Sequence, residues 1–166
     1  MKVYFSHGKE SGPWGSKIKR LADVAKAYGY SVDSIDYTDL LDPDLRVERL
    51  ISILKKEEDD FLLVGSSMGG YVSLVASEKI NANGLFLLAP ALYIPGYRKQ
   101  TYKKQIDVEI VHGWSDDVIP SENSIKFAKN IDCSLHLISG DHRLNSSINI
   151  VEKLFVQFLI SHTPKK

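Results

Sequence analysis

Cysteine is nearly absent: Cys133 is the single one in 166 residues. A lone cysteine closes no internal disulfide, which excludes the disulfide-stapled secreted class and fits a reducing compartment. Net charge is absent too, since 21 basic and 21 acidic residues cancel. That balance argues against a nucleic-acid partner, which needs a basic footprint, and against a polybasic membrane anchor. Unbroken apolar runs are also missing. The longest charge-free stretches, 61–77 and 80–97, approach membrane-span length. The first carries Gly65, Gly69 and Gly70, and the second Asn81, Asn83, Gly84, Pro90 and Pro95, so both read as strand-turn units. The apolar run after Lys2 is too short for a secretion signal. The expectation is a cytoplasmic protein with no membrane association, monomeric or a small homo-oligomer.

What is present is ordinary for a globular protein: 43% hydrophobic and 25% charged residues. At ~100–200 residues per domain, 1–166 forms one domain. Short apolar runs at 3–6, 31–35, 61–65, 85–89, 108–111 and 135–139 alternate with segments of helical period. Runs of this kind suit strands buried on both faces. Ile18, Leu21, Ala22 and Ala25 share one helical face, with Gly29 as the stop. Val47, Leu50, Ile51 and Leu54 share another, opened by Asp42-Pro43 as N-cap and first-turn proline. Ser121 is read as the cap of a third helix. Val151, Leu154, Phe155, Phe158 and Leu159 belong to the last apolar stripe, and residues 163–166 form a frayed tail. Strand and helix in alternation imply a mostly parallel sheet, with chemistry at the carboxyl ends of its strands.

One motif stands at such an end. Gly65-Ser66-Ser67-Met68-Gly69 fits G-x-S-x-G, directly after 61–64 and before a helix expected over 71–79. The frame selects Ser67, because Ser66 would need glycine where Val64 and Met68 stand. The alternative is a glycine-rich turn with inert serines. A serine nucleophile needs a base, and the base an orienting acid, following in the order Ser, acid, His. His142 alone follows a strand end after an acidic loop. His7 and His112 read as turn-stabilising residues, His136 lies within a strand, and His162 is near the tail. The acid is Asp116 or Asp117.

The ordered set Ser6-His7-Gly8, Gly65 to Gly69, His112-Gly113-Trp114-Ser115-Asp116-Asp117-Val118-Ile119-Pro120 and Gly140-Asp141-His142 resembles the α/β-hydrolase superfamily. It is most similar to small, nearly lidless bacterial members, the short esterases and the retinoblastoma-binding-protein-like serine hydrolases. The resemblance covers residues 3 to about 160. It implies a three-layer α/β fold with six parallel strands in order 2-1-3-4-5-6, the chain opening on the strand that comes third in the family. It places the acid on Asp116, with Ile119 where the family carries valine. It implies an oxyanion hole from the backbone N–H groups of Met68 and Lys9, the latter where many small esterases have an aromatic. The implied activity is hydrolysis of small acyl esters or thioesters through a Ser67–His142–Asp116 catalytic triad, with no cofactor or metal. A weakly catalytic binding module on the same scaffold is the second reading, and a phosphate binder at the 65–70 turn the third. Trp14, Tyr93 and Trp114 are the substrate-pocket candidates beside Met68. Segment 90–105 is the only room for a cover and is too short for a lid domain.

Overall fold

The computed structural model describes residues 1–103 and 107–163. Lys104 and Gln105 of the expected cover segment, and Pro164, Lys165 and Lys166 of the expected tail, lie outside the described residues. Six strands, β1 (Lys2–Ser6), β2 (Ser31–Ile35), β3 (Phe61–Ser66), β4 (Gly84–Leu88), β5 (Val108–Gly113) and β6 (Ser134–Ile138), form one sheet in the order β2-β1-β3-β4-β5-β6. Every pairing is parallel. Between them run α1 (Ser16–Ala27), α2 (Pro43–Leu54), α3 (Met68–Ser77) and α4 (Ser121–Ile131), with α5 (Ile148–His162) last.

The continuous apolar runs are explained by two cores, one on each face of the sheet. Val3 and Phe5 of β1, Leu62 and Val64 of β3 and Phe86 and Leu88 of β4 pack with α1 and α5. The alternate residues Tyr4, Leu63, Leu85 and Leu87 pack with α2, α3 and α4. Period-two alternation thus sends each strand's side chains into a dry layer on either side. Phe155 shows how full these layers are: it is fully buried, with ring centroids 6.5 Å from Phe5 and 5.1 Å from Phe86. Among the described residues no helix is long and apolar enough to cross a membrane.

Local signals act largely as the sequence implies. Asp42 caps α2 by accepting from the N–H groups of Asp44 and Leu45. Gly29, at φ +84°, takes the left-handed turn that ends α1. Two expectations are corrected. Ser121 is the first helical residue of α4 and buried, with Pro120 at the cap position and no side-chain capping bond. Helix α3 begins at Met68 rather than at 71, because Ser67 alone makes the turn and the two glycines already lie inside the helix.

The register aligns the strands' carboxyl ends. Ser6 pairs with both Ile35 and Gly65, Ser66 with Leu88, and Gly113 with Ile138. The segments carrying His7-Gly8-Lys9, Ser67, Asp116 and His142 therefore leave the sheet at one edge.

Candidate active site

Ser67 has φ 54° and ψ −119°, a conformation that L-residues adopt only under constraint. The constraint is visible. Its N–H donates to Leu88 O at 2.9 Å, and its carbonyl accepts from Gly70 N–H at 2.9 Å and Ala91 N–H at 2.9 Å. Glycine is required on either side of the turn. A Cβ on Gly65 would lie 2.3 Å from the Gly69 carbonyl oxygen, and one on Gly69 would lie 2.0 Å from the Ser6 carbonyl oxygen. Helix and strands approach so closely only because those positions lack side chains.

His142 Nε2 lies 3.0 Å from Ser67 Oγ, and its Nδ1 lies 2.7 Å from Asp116 Oδ2. A carboxylate accepts, so Nδ1 carries the proton and donates to Asp116, leaving Nε2 free to accept from the Ser67 hydroxyl. Asp116 Oδ1 accepts from the N–H groups of Val118 at 2.9 Å and Ile119 at 2.8 Å. Its side chain is fully shielded from solvent, whereas His142 keeps partial exposure. Burial alone would raise the Asp116 pKa, but the bonds from His142, Ile119 and Val118 outweigh it and hold the carboxyl below its usual value. Asp117 is exposed and takes no part. The structure thus brings together three of the residues singled out in sequence, separated by 49 and 26 positions along the chain.

Two further side chains belong to this arrangement and were not assigned to it from sequence. His112, read as turn-stabilising, donates from Nε2 to Asp116 Oδ2 at 3.0 Å and to Ile119 O at 2.9 Å, while its Nδ1 accepts from Ser124 Oγ at 2.7 Å. It sits four positions before the acid, the spacing that could have marked it. Arg46 is fully buried, and among the described residues it forms no ion pair with a carboxylate. It donates to the carbonyls of Leu40 at 2.6 Å, His7 at 3.3 Å and Gly8 at 3.1 Å. The Gly8 carbonyl also accepts from His7 Nδ1 at 2.7 Å, as His7 Nε2 accepts from Tyr37 N–H. N–H and C=O point oppositely across a trans peptide. Fixing the Gly8 carbonyl towards Arg46 therefore turns the Lys9 N–H away from it. The same peptide runs beside the serine, since a Cβ on Gly8 would lie 3.6 Å from Ser67 Cβ. Met68 N–H, at the first position of α3, lacks an intrahelical acceptor.

A cleft of about 680 Å³ opens at Ser67, lined by Gly8, Lys9, Lys17, Met68, Ile94 and Tyr97 among others, with His142 at its wall. The volume is within the range of small-molecule sites, about 300–1,000 Å³. Trp14, Tyr93 and Trp114 do not line it, which corrects the expected pocket. Trp114 projects into solvent from the end of β5, 60% exposed. Tyr93 packs edge-on against Tyr102 and lies under the Lys126 ammonium. Trp14 follows Pro13, whose carbonyl is tied to Ser34 at the outer strand β2, and it is largely exposed. The apolar lining comes instead from Ile18, Met68, Val118 and Ile119 and from Ala91, Ile94 and Tyr97 of segment 91–103, which Tyr71 and Asp44 anchor through the N–H groups of Lys99 and Arg98. His136 and His162 pair with Glu109 and Asp107 away from the cleft.

The sheet order, the strained serine turn and the Ser–His–Asp geometry define the class: this is a protein of the α/β-hydrolase superfamily. The chain belongs to the uncharacterised protein family UPF0227, whose profile matches residues 1–144. A structure of an α/β-superfamily protein from Xanthomonas campestris pv. campestris superposes with a TM-score of 0.89 at 29% identity, covering 96% of this chain and 97% of that one. Est1E from Butyrivibrio proteoclasticus, solved with ferulic acid bound, gives 0.82 at 19% identity, covering 99% and 90%. The monoacylglycerol lipase of Paleococcus ferrophilus gives 0.79 at 14%, covering 97% and 94%. The latter two likenesses concern the fold. No curated protein matches the sequence significantly.

Proposed function

We propose that this protein is a serine hydrolase that cleaves small acyl esters, of carboxylesterase or thioesterase type, through an acyl-enzyme. The observation that carries the reading is the continuous hydrogen-bonded line from Ser67 Oγ through His142 to Asp116. Ser67 Oγ attacks the acyl carbonyl as its proton passes to His142 Nε2. Asp116 keeps the other ring nitrogen protonated and stabilises the imidazolium. The tetrahedral oxyanion is bound by the N–H groups of Met68 and Lys9. Losing one such donor costs about 10²–10³ in turnover. As the intermediate collapses, the bond to the leaving alcohol or thiol breaks and His142 returns the proton to it. Water, activated by His142, then attacks the acyl-enzyme, releasing the acid and restoring the Ser67 hydroxyl. No cofactor enters these steps.

Support comes from the fold shared with a lipase and with Est1E, and from the cleft at the nucleophile. The test is hydrolysis of p-nitrophenyl butyrate by the wild type, Ser67→Ala, His142→Ala and the double variant. Each single change should abolish turnover in a folded protein, and the double should be little worse, because such residues act as a unit. Additive losses, or wild-type turnover no faster than the double variant's, would overturn the reading.

A further inference from the structure

The proton relay makes no use of the basic side chains that line the cleft. Lys17 stands in the first turn of α1 and lines the cleft with Lys9 and Arg143, while Glu10 is the only acidic residue among the described lining residues. The chain as a whole is neutral, so this is a local excess of positive charge. Lys17 Nζ donates to Arg143 O at 3.0 Å. Among the described residues neither Lys9, Lys17 nor Arg143 forms an ion pair with a carboxylate.

The placement of Lys17 is costly in two ways. Burial pulls its ammonium pKa down to about 8, against the attraction of Asp141 and Asp116. Neither carboxylate relieves it directly: Asp141 is engaged by the N–H groups of Arg143 and Leu144, and Asp116 by the donors described above. A cation in a first helical turn also opposes the helix dipole, and α1 has neither a side-chain cap nor an acidic first-turn residue. An anion in the cleft reverses both effects. It gives the ammonium a charged acceptor, for which two of its three N–H donors remain available. It also complements the positive end of α1.

We infer that the substrate is an anionic acyl compound whose carboxylate or phosphate group is bound by Lys17 next to Ser67, with Arg143 at the rim. The inference rests on the serine-hydrolase reading. It names a specificity contact, since Lys17 holds no reacting atom.

Two matched pairs of chromogenic esters test it. p-Nitrophenyl hexanoate is compared with mono-p-nitrophenyl adipate, which has the same acyl length and leaving group plus a terminal carboxylate. p-Nitrophenyl butyrate is compared with 3-carboxy-4-nitrophenyl butyrate, which carries the charge on the leaving group. In at least one pair the wild type should favour the anionic ester by about tenfold in kcat/KM, the scale of a hydrogen bond to a charged group. That ratio should fall about fivefold or more in Lys17→Gln, fall less in Arg143→Gln, and shrink with added salt. Competition of the neutral ester by adipate and by inorganic phosphate identifies the anion, as the stronger inhibitor should lose potency in Lys17→Gln. Ratios near one in both pairs, or ratios unmoved by Lys17→Gln, overturn the inference. Labelling of Ser67 by a neutral fluorophosphonate separates the failures. A labelled protein with flat ratios loses the anion site alone. A protein that neither labels nor hydrolyses any of the esters loses the hydrolase reading and this inference with it.

Discussion

His112 Nε2 lies 3.0 Å from the Asp116 oxygen that accepts from His142 Nδ1 at 2.7 Å. One carboxylate oxygen thus joins two histidines of opposite standing. His112 is wholly buried and held by Ser124, while His142 reaches the cleft. The imidazole of His142 thus meets a carboxylate that already accepts from three other donors, His112 Nε2 and the N–H groups of Val118 and Ile119.

That arrangement separates the neighbouring aspartates. Asp116→Asn should lower kcat on a p-nitrophenyl ester by about 10³–10⁴, since an amide favours the wrong imidazole tautomer. Asp117→Asn should stay within about twofold. His112→Ala should fall between them and lower the melting temperature, as Asp116 and Ser124 each lose a buried partner. Steady-state kinetics with thermal melts gives the ranking, and a larger loss at Asp117 would move the acid by one residue.

Acid should weaken the fold through the same carboxyl. The Asp116 pKa is lower folded than unfolded, so its stabilising contribution is complete above the ordinary aspartate value and is lost as pH falls through the folded one. Urea denaturation from about pH 6 downwards should show a stability decline in the wild type that is shallower in Asp116→Asn. Identical slopes would mean that Asp116 gains nothing on folding.

Lys17 should act in the opposite direction. Its folded value of about 8 is below the usual 10.5, so the protonated ammonium destabilises the fold below about pH 8, and the cost fades between there and 10.5. Lys17→Met should therefore raise stability at pH 7, with a gain that shrinks towards pH 10. A destabilised variant at pH 7 would show that the bond to the Arg143 carbonyl outweighs the burial.

Arg46 tests the other wall. Arg46→Met leaves the carbonyls of Leu40 and His7 without a donor, at about 1–3 kcal/mol for each group left unpaired, and leaves the Gly8 carbonyl with His7 Nδ1 alone. The melting temperature should drop, and kcat should fall more than KM rises, because the Lys9 N–H is no longer aimed. Arg46→Lys should recover part of both.

Much of this was legible in the sequence for a physical reason. Strands buried on both faces write themselves as apolar runs, so all six appear within a residue or two of their observed ends, and Ser67, His142 and Asp116 each follow one. The start of α3 was not legible, because Gly69-Gly70 reads as a turn until the crowding that requires glycine there is seen. Arg46 was hidden by its type. Positions 46, 50 and 54 share a helical face with Leu50 and Leu54, yet a charged residue is normally assigned to solvent. The pocket aromatics misled because size and proximity in sequence say nothing about direction: Trp114 is adjacent to the acid loop and points outward.

Substrate size follows from the wall that replaces them. Ile94 and Tyr97 bound the cleft from a segment that carries no helix among its described residues, so methylenes beyond a short acyl group should stay in water and add no transition-state binding. Across p-nitrophenyl esters of rising chain length, kcat/KM should peak at about two to six acyl carbons, where each buried methylene adds at most ~0.8 kcal/mol. A steady climb to twelve carbons or more would reveal a long apolar groove.

The most direct measurement of the central claim is covalent labelling with a fluorophosphonate followed by peptide mapping. An activated Ser67 predicts stoichiometric modification at that residue in the wild type, none there in Ser67→Ala, and strongly slowed modification in His142→Ala. A wild-type protein that is modified elsewhere, or not at all, would contradict the account.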